Sequence, residues 1–155
     1  MGSMGIRYER YAAGEFGVGE LWLEGERLVH HELPRPSSEG GGDDPLGALF
    51  SAYFAGERVS FDEVELDEDD DTAFQHAVAE AIRAVPYGET VTYGELAALA
   101  GHPGAQRAVG SFCARNRFPI VLPCHRVVAA GGIGPYGSLG AGYKRRLLAL
   151  EGVAL

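Results

Sequence analysis

The sequence predicts an α+β fold in which a small N-terminal lobe with an antiparallel sheet precedes a mainly helical lobe that contains a helix-turn-helix. Three observations carry this prediction. Alternation of apolar and polar residues, which is typical of strands, is confined to the early part of the chain. An acidic run at residues 65–71 then marks a change in composition, and beyond it apolar residues recur at helical spacing. We therefore expect an N-terminal lobe with an acidic linker at residues 1–71 and a helical lobe at residues 72–155.

The N-terminal lobe is predicted to begin with three strands. Period-two alternation marks them, and they are expected over Ile6–Tyr11, Glu20–Leu23 and Arg27–Leu33, with a Glu-Gly-Glu turn joining the last two. Residues 34–45 are rich in proline, glycine and serine, which predicts a loop. A short helix is expected over Leu46–Ala55, followed by a strand near Arg58–Phe61. The acidic residues 65–71 are interpreted as a solvated linker, because they lack the spaced ligands and glycine turn of a calcium site.

The helical lobe is predicted from apolar spacing and from helix-start signals. A first helix is expected over Thr72–Val85, ended by a Pro-Tyr-Gly segment. Thr92 and Glu95 form a capping box that predicts a second helix over residues 92–100. Proline is tolerated in a first turn, so a third helix is expected over residues 102–114. The tight glycine-containing turn between these two predicts a helix-turn-helix, although an ordinary pair of core helices is the alternative.

The bulk properties indicate an ordinary globular protein. The chain has 155 residues, no apolar run long enough to span a bilayer and no secretory signal pattern, so a cytoplasmic location is expected. The opening Met1–Met4 has the pattern of a leader left by an expression vector. Cys113 and Cys124 are the only cysteines, and neither has the spacing of a zinc site. We therefore expect two free thiols and neither a metal nor a cofactor.

Charge is distributed unevenly between the two halves. The formal net charge of −9 argues at first against a nucleic-acid partner, because Lys and Arg supply most of the affinity for phosphates. Residues 1–71 hold five basic and eighteen acidic side chains, a net −13, whereas residues 72–155 hold eight and four, a net +4. Such asymmetry is expected when only one lobe meets a polyanion.

A reactive pair lies within the apolar segment Pro-Ile-Val-Leu-Pro-Cys-His-Arg-Val-Val at residues 119–128. An apolar strand is expected to deliver Cys124 beside His125. Cysteine attacks as the thiolate, which a nearby base or cation favours, so His125 and Arg126 are candidate activators. Only four acidic residues follow residue 71, and Glu151 is the candidate partner that would orient His125. For an isolated pair, a core cysteine beside a hydrogen-bonded histidine would be the more common situation.

An ordered set of segments decides between these interpretations. They are Thr-Ala-Phe-Gln at 72–75, Pro-Tyr-Gly-Glu-Thr at 86–90, Thr-Tyr-Gly-Glu-Leu-Ala at 92–97, Gly-Ala-Gln-Arg-Ala-Val-Gly at 104–110, Arg-Asn at 115–116, Pro-Ile at 119–120, Pro-Cys-His-Arg-Val at 123–127 and Lys-Arg-Arg-Leu-Leu-Ala-Leu-Glu-Gly at 144–152. In them the chain resembles the O-6-alkylguanine-DNA alkyltransferase family, also called methylated-DNA–protein-cysteine methyltransferases. The resemblance is strong over residues 72–155 and weak over the N-terminal lobe.

The resemblance implies a chemistry for the helical lobe. Cys124 would accept an alkyl group from the exocyclic oxygen of guanine, His125 would deprotonate it through a bridging water, and Glu151 would orient His125. Asn116 would hold the backbone beside the site, and Tyr93 would protonate the departing guanine. Since the thioether product is stable and nothing in the sequence would regenerate the thiol, one protein would repair one lesion.

The resemblance also implies the partner, which is double-stranded DNA that contains alkylated guanine, with alkylated thymine as a second candidate lesion. The second helix of the helix-turn-helix would enter the minor groove, and Arg107 would replace the extruded nucleotide in the base stack. A helix face made of small residues fits such a close approach. The residues expected at DNA are Thr92, Tyr93, Ala105, Gln106, Arg107 and Ala108. We expect a monomer and no membrane partner.

The loop after the reactive pair departs from the family pattern. Members usually carry a tyrosine-serine-glycine-glycine-like segment, whereas here Gly137 separates Tyr136 from Ser138, and Leu139 stands where glycine is common. The residues expected to line the substrate pocket are Val127, Tyr136, Ser138 and Leu139. Ser138 is the candidate contact to the guanine oxygen. Cys113 is expected to pack as a small apolar residue.

Two other functions fit parts of the sequence. A non-catalytic module that flags damaged bases would resemble alkyltransferase-like proteins, but those lack the reactive cysteine that Cys124 supplies. A cysteine hydrolase could use the same three side chains. However, adjacent residues on a strand point to opposite faces, so a water bridge or a local bend would be needed between Cys124 and His125. Turnover separates the cases, because a hydrolase cycles and an alkyltransferase stops after one event.

Overall fold

The computed structural model describes residues 5–155, and the expected leader at residues 1–4 lies outside them. The chain forms two compact units, of which the first contains the residues up to Asp67 together with Arg117–Val121, and the second contains Glu68–Asn116 and Leu122–Leu155. A three-stranded antiparallel sheet and several helices confirm the predicted α+β class. Among the described residues, no helix is both long and apolar enough to cross a bilayer.

An antiparallel sheet of three strands, in the order β1-β2-β3, forms the first unit. These strands are β1 (Ile6–Ala12), β2 (Val18–Glu24) and β3 (Arg27–Arg35), each longer at one or both ends than predicted. Gly25, in the turn between β2 and β3, has a φ of 62°, a conformation that glycine adopts without a steric penalty. The alternation that predicted the strands also appears in β2, whose residues alternate between buried and half-buried.

The core of the first unit is rich in aromatic rings. Helix α1 (Pro45–Phe54) begins at the Asp44 side chain, which accepts from two backbone N–H groups. Phe50 on this helix stacks on Tyr11 at 5.1 Å and lies 4.2 Å from the ring of His31, measured between centroids. The Tyr11 hydroxyl is 2.6 Å from His31 Nε2. His31 is thus a polar side chain that the core holds through defined partners.

Two sequence predictions for the first unit are wrong. No strand forms near Arg58–Phe61. The Phe61 ring packs against Phe50 with centroids 4.8 Å apart, and the Phe61 carbonyl accepts from the Val64 N–H at 3.1 Å in a turn. The start of the acidic run is not a free linker either. Leu66 forms a parallel bridge with Leu28, so this part of the run adds to the sheet. A buried leucine within the acidic residues explains the difference, since its side chain anchors the segment.

The division between the units differs from the predicted boundary. It falls after Asp67, and a later segment, Arg117–Val121, belongs to the first unit. Backbone contacts hold this segment there: His31 donates its backbone N–H to the Arg117 carbonyl at 2.9 Å and its Nδ1–H to the Pro119 carbonyl at 2.7 Å. Pairing between residues so distant in sequence leaves no local signal, so composition alone could not predict it.

The second unit contains four helices among the described residues, α2 (Ala73–Arg83), α3 (Tyr93–Leu99), α4 (Gln106–Ala114) and α5 (Gly140–Leu150). A short parallel pair, β4 (Val91–Thr92) and β5 (Val127–Val128), joins the start of α3 to the centre of the unit. Capping boxes open both α2, with Thr72 and Gln75, and α3, with Thr92 and Glu95.

Helix α4 begins later than predicted. The proline-containing segment 102–105 forms a turn, in which the Ala105 N–H donates to the His102 carbonyl at 3.1 Å. Gly104 has a φ of 87°, which is incompatible with a helix interior, and the helix therefore starts at Gln106. Helices α3 and α4 pack against each other across this turn.

Candidate active site around Cys124

The candidate nucleophile lies in a tight turn. Cys124–Arg126 form one turn of 3₁₀ helix before β5, and all three residues are buried. The predicted apolar strand at this position is therefore wrong. Pro123 cannot donate to a sheet, and the Cys124 N–H turns back to the Leu122 carbonyl at 2.7 Å. Because the turn is not a strand, Cys124 and His125 are not forced onto opposite faces.

Asn116 holds the chain around the nucleophile. Its Nδ2 donates to the Leu122 carbonyl at 2.9 Å and lies 3.2 Å from Cys124 Sγ. One amide thus fixes the backbone two residues before the cysteine and also contacts the sulfur.

Glu151 holds His125 and Arg126 in one buried network. Its Oε2 accepts from His125 Nε2 at 2.6 Å and from Arg126 Nη2 at 3.0 Å, and its Oε1 accepts from Arg126 Nε at 2.9 Å. Oε1 also accepts from the Gly88 N–H at 2.9 Å, and Arg126 Nη1 donates to the Val85 carbonyl at 2.7 Å. The bidentate guanidinium keeps the carboxylate charged and fixed in place. His125 therefore has an oriented acceptor for its Nε2–H.

Burial determines the protonation states of the reactive pair. It lowers the pKa of His125 below its ordinary value of 6.5, against the opposing effect of Glu151, so the ring is neutral near pH 7. Burial also raises the pKa of Cys124 well above its ordinary value, and a hydrogen bond with the Cys113 thiol adds to this effect. Asn116 and Lys144 act in the opposite direction. The resting cysteine is a thiol, so a base must remove its proton before attack.

Lys144 is a buried member of the site that the sequence analysis did not single out. Its Nζ donates to the Val127 carbonyl at 2.6 Å and to the Pro135 carbonyl at 3.2 Å, and it lies 3.5 Å from the Tyr93 hydroxyl. Burial lowers the pKa of Lys144 to about 8 and raises the pKa of Tyr93 to about 12. The available signal was that Lys144 shares a helix face with the buried Leu148.

The residues expected to line a substrate pocket differ in exposure. Val127 is buried in β5, Ser138 is exposed, and Leu139 is half-buried at the start of α5. The Tyr136 ring stacks on Tyr143 with centroids 6.4 Å apart. Its hydroxyl is buried and, among residues 5–155, has no hydrogen-bond partner. A buried polar group of this kind is one that a bound molecule could satisfy.

The residues expected at DNA lie at the first turns of α3 and α4. Thr92 caps α3, and Tyr93 is its first helical residue. Three of the remaining candidates are exposed at the start of α4: Gln106, Arg107 and Ala108. The fourth, Ala105, is half-buried at the N-cap of the same helix. The helix is anchored by the buried Val109. Arg107 is therefore a cation on an exposed surface of small side chains.

One group of possible metal ligands occurs among the described residues. Glu68, Asp71 and His76 bring one donor atom each to within 4.8 Å of one another at the start of α2. From the sequence, the acidic run was interpreted as a linker and was not associated with His76. His76 is exposed and the two carboxylates are half-buried, an arrangement that surface acidic groups often adopt without an ion.

The chain is similar to known proteins in its sequence and in its fold. The family model for the DNA-binding domain of 6-O-methylguanine DNA methyltransferase matches residues 73–153. The methylated-DNA–protein-cysteine methyltransferase of Mycobacterium bovis is 48% identical over 122 residues, which are 78% of this chain and 70% of the relative. The protein of the same name from Methanosarcina acetivorans is 41% identical over 151 residues, covering 96% and 86%.

Solved structures extend the likeness to the whole fold. The O6-methylguanine methyltransferase of Mycobacterium tuberculosis superposes with a TM-score of 0.80 at 35% identity, covering 95% of this chain and 93% of the other. The same organism's protein in complex with DNA gives a TM-score of 0.77 at 39% identity, covering 94% and 92%. The chain described here belongs to the 6-O-methylguanine DNA methyltransferase family, the DNA-repair enzymes that are also named methylated-DNA–protein-cysteine methyltransferases.

Proposed function

We propose that the protein repairs DNA by transferring an alkyl group from the exocyclic oxygen of guanine to the sulfur of its own Cys124, once per molecule. The single observation that carries this proposal is the buried turn that joins Cys124 to His125, with His125 hydrogen-bonded to Glu151 at 2.6 Å. A nucleophile, a neutral base and an oriented acceptor meet there, as nucleophilic catalysis requires.

The proton of Cys124 is proposed to pass to His125. Because His125 Nε2 donates to Glu151, the ring carries its lone pair on Nδ1, which is the nitrogen that would accept the proton, through a bridging water. Glu151 then stabilises the resulting imidazolium. Arg126 keeps this carboxylate in place, as a positioning residue that does not touch the substrate.

The departing guanine is proposed to take its proton from Tyr93. The sulfur attacks the alkyl carbon, the bond from that carbon to the guanine oxygen breaks, and the electron pair goes to the base. A tyrosine whose pKa is raised to about 12 still holds its proton at neutral pH and can donate it. The Lys144 ammonium, 3.5 Å from that hydroxyl, would stabilise the tyrosinate that forms.

The target base is proposed to leave the DNA stack before it reacts. The alkyl carbon lies inside the duplex, so a buried cysteine reaches it only if the nucleotide is extruded. We propose that α4 enters the minor groove through its exposed small residues and that Arg107 fills the space of the extruded nucleotide. The relative whose structure contains DNA supports a DNA partner for this fold.

The extruded base is proposed to enter a pocket beside Cys124. Val127, Tyr136, Ser138 and Leu139 would line the space for the extruded base, and the buried Tyr136 hydroxyl is a candidate contact to it. Alkylated thymine is the proposed second lesion. The protein is proposed to act as a monomer, because one chain supplies every residue that the reaction uses. Its proposed location is the cytoplasm.

Mass spectrometry tests the assignment of Cys124. The protein is incubated with a duplex that contains O6-methylguanine, and with the same duplex containing guanine as the control. We expect the first duplex alone to increase the intact mass by one methylene unit, located on the tryptic peptide Phe118–Arg126. Cys124→Ser is expected to gain no mass and still bind DNA. A mass gain on the Cys113 peptide would contradict the proposal.

A further inference from the structure

The second cysteine of the chain lies beside the first, and the proposed reaction does not use it. Cys113 is in the last turn of α4, and its carbonyl accepts from the Asn116 N–H at 3.3 Å. The side chain of the same Asn116 lies 3.2 Å from Cys124 Sγ. The Cys113 thiol also acts on Cys124, whose pKa it raises. Asn116 thus ties together the backbone of one cysteine and the sulfur of the other.

We infer that Cys113 and Cys124 form a reversible disulfide when the protein meets hydrogen peroxide, and that this bond blocks the acceptor sulfur until a dithiol reduces it. The effect on repair rests on the proposed function, whereas the bond itself does not. From the sequence, Cys113 was expected only to pack as a small apolar residue. In this inference it is the partner thiol for the acceptor.

The geometry is suited to such a bond. A disulfide requires the two cysteines to be near neighbours. Asn116 contacts the carbonyl of Cys113 at 3.3 Å and the sulfur of Cys124 at 3.2 Å, and the Cys113 thiol acts on the pKa of Cys124, so both cysteines belong to one local cluster. Cys113 is followed by only one more residue of α4, where a helix end can adjust by a small movement. Since the chain has two cysteines in all, any disulfide within one molecule must join this pair.

Exposure decides which sulfur reacts first. Cys113 is half-exposed, whereas Cys124 is 2% exposed, so the oxidant reaches Cys113 more readily. A cysteine reacts with peroxide through its thiolate form.

The disulfide forms in two steps, with hydrogen peroxide as the oxidant. The Cys113 thiolate attacks one peroxide oxygen, the O–O bond breaks, and hydroxide leaves to give a sulfenic acid. The Cys124 sulfur then attacks the Cys113 sulfur, loses its proton and expels the second hydroxide. Each sulfur is oxidised by one electron, the peroxide is reduced by two, and the protons and hydroxides leave as two waters. A dithiol reverses the change by exchange.

The consequence is protection of a group that the protein can use only once. A sulfur held in a disulfide cannot accept an alkyl group, but it is also kept from oxidation to sulfinic acid, which is generally irreversible. In a reducing compartment the bond would be transient.

Peptide mapping after oxidation tests the inference. Reduced protein, freed of reductant, is treated with hydrogen peroxide and digested with trypsin without reduction. We expect the intact protein to lose two hydrogens and the peptides Ala108–Arg115 and Phe118–Arg126 to appear as one linked species. Alkyl transfer is expected to be lost and then restored by dithiothreitol. Two unlinked thiols after oxidation, or a disulfide between two molecules, would overturn the inference.

Matched variants separate the two proposals. Cys113→Ser and Cys113→Ala should transfer the alkyl group when reduced, form no linked peptide, and lose activity to peroxide without recovery by dithiothreitol. Full recovery in both variants would overturn the protective role of Cys113. If the reduced parent protein forms the disulfide but never accepts an alkyl group, the proposed function fails and the disulfide stands.

Discussion

Glu151 accepts the Nε2–H of His125 at 2.6 Å while the guanidinium of Arg126 binds both of its oxygens, at 2.9 and 3.0 Å. The carboxylate therefore serves two neighbouring side chains at once. The same Glu151 carboxylate orients His125 and neutralises the buried charge of Arg126. Any change at Glu151 should affect the reaction and the stability together.

Glu151→Gln is expected to slow alkyl transfer by about a hundredfold, because a correctly oriented general base contributes on that order. The variant should also lose roughly 3 kcal/mol of unfolding free energy, since Arg126 would keep its buried charge without a carboxylate. Single-turnover rates and urea denaturation measure the two effects. Glu89→Gln, which changes an exposed carboxylate of the same unit, is the control and should alter neither. An unchanged transfer rate in folded Glu151→Gln would contradict the assignment.

Acid is expected to unfold the protein partly through His31. Burial lowers the pKa of His31 to about 3 from an ordinary 6.5, so between these values the unfolded chain binds a proton that the folded chain does not. Stability is therefore complete above pH 6.5 and falls as the pH drops, by about 1.4 kcal/mol per pH unit for this residue. Denaturation at a series of pH values should show a shallower slope for His31→Gln than for the parent. Equal slopes for His31→Gln and the parent protein would refute the prediction.

Arg107→Ala is expected to slow repair of a duplex much more than reaction with the free alkylated base, because only the duplex requires a nucleotide to be extruded. The measurement is the ratio of single-turnover rates on the two substrates. Arg115→Ala, which removes another exposed cation just beyond the same helix, should weaken DNA binding without changing that ratio. Equal slowing of Arg107→Ala on both substrates would mean that Arg107 has only a structural role.

Leu139→Gly is expected to improve transfer from benzylated guanine selectively. Leu139 is half-buried at the start of α5, where it would fill space that a benzyl group needs. Steric discrimination of this kind corresponds to about 1–3 kcal/mol, so the benzyl rate should rise on the order of ten- to a hundredfold while the methyl rate changes little. Leu139→Ala should give an intermediate benzyl rate. Lower stability with unchanged substrate preference would indicate that Leu139 only packs.

Features that depend on residues close together in the sequence could be predicted, whereas contacts between distant residues could not. The Thr92–Glu95 capping box is readable because both partners lie within one turn, and the structure confirms it. Two other features join residues that are distant in the sequence and therefore leave no local signal. Leu66 pairs with Leu28, and the segment Arg117–Val121 belongs to the first unit.

The candidate site shows the same limit. Glu151 was singled out because few acidic residues follow residue 71, and the structure has it hydrogen-bonded to His125. The buried position of Lys144 was not predicted, because a lysine in a helix usually extends its ammonium into water. Its partners are carbonyls of Val127 and Pro135, which carry no side-chain signature in the sequence.

The number of lesions repaired per protein molecule tests the central claim most directly. The protein, at a concentration titrated by its reactive thiol, is mixed with an excess of duplex that contains O6-methylguanine, and restored guanine is counted until the reaction stops. Self-alkylation at Cys124 predicts that restored guanine reaches one equivalent of protein and then no longer rises, with the methyl group on the Cys124 peptide. Continued accumulation of guanine beyond one equivalent, or no restored guanine despite DNA binding, would contradict the account.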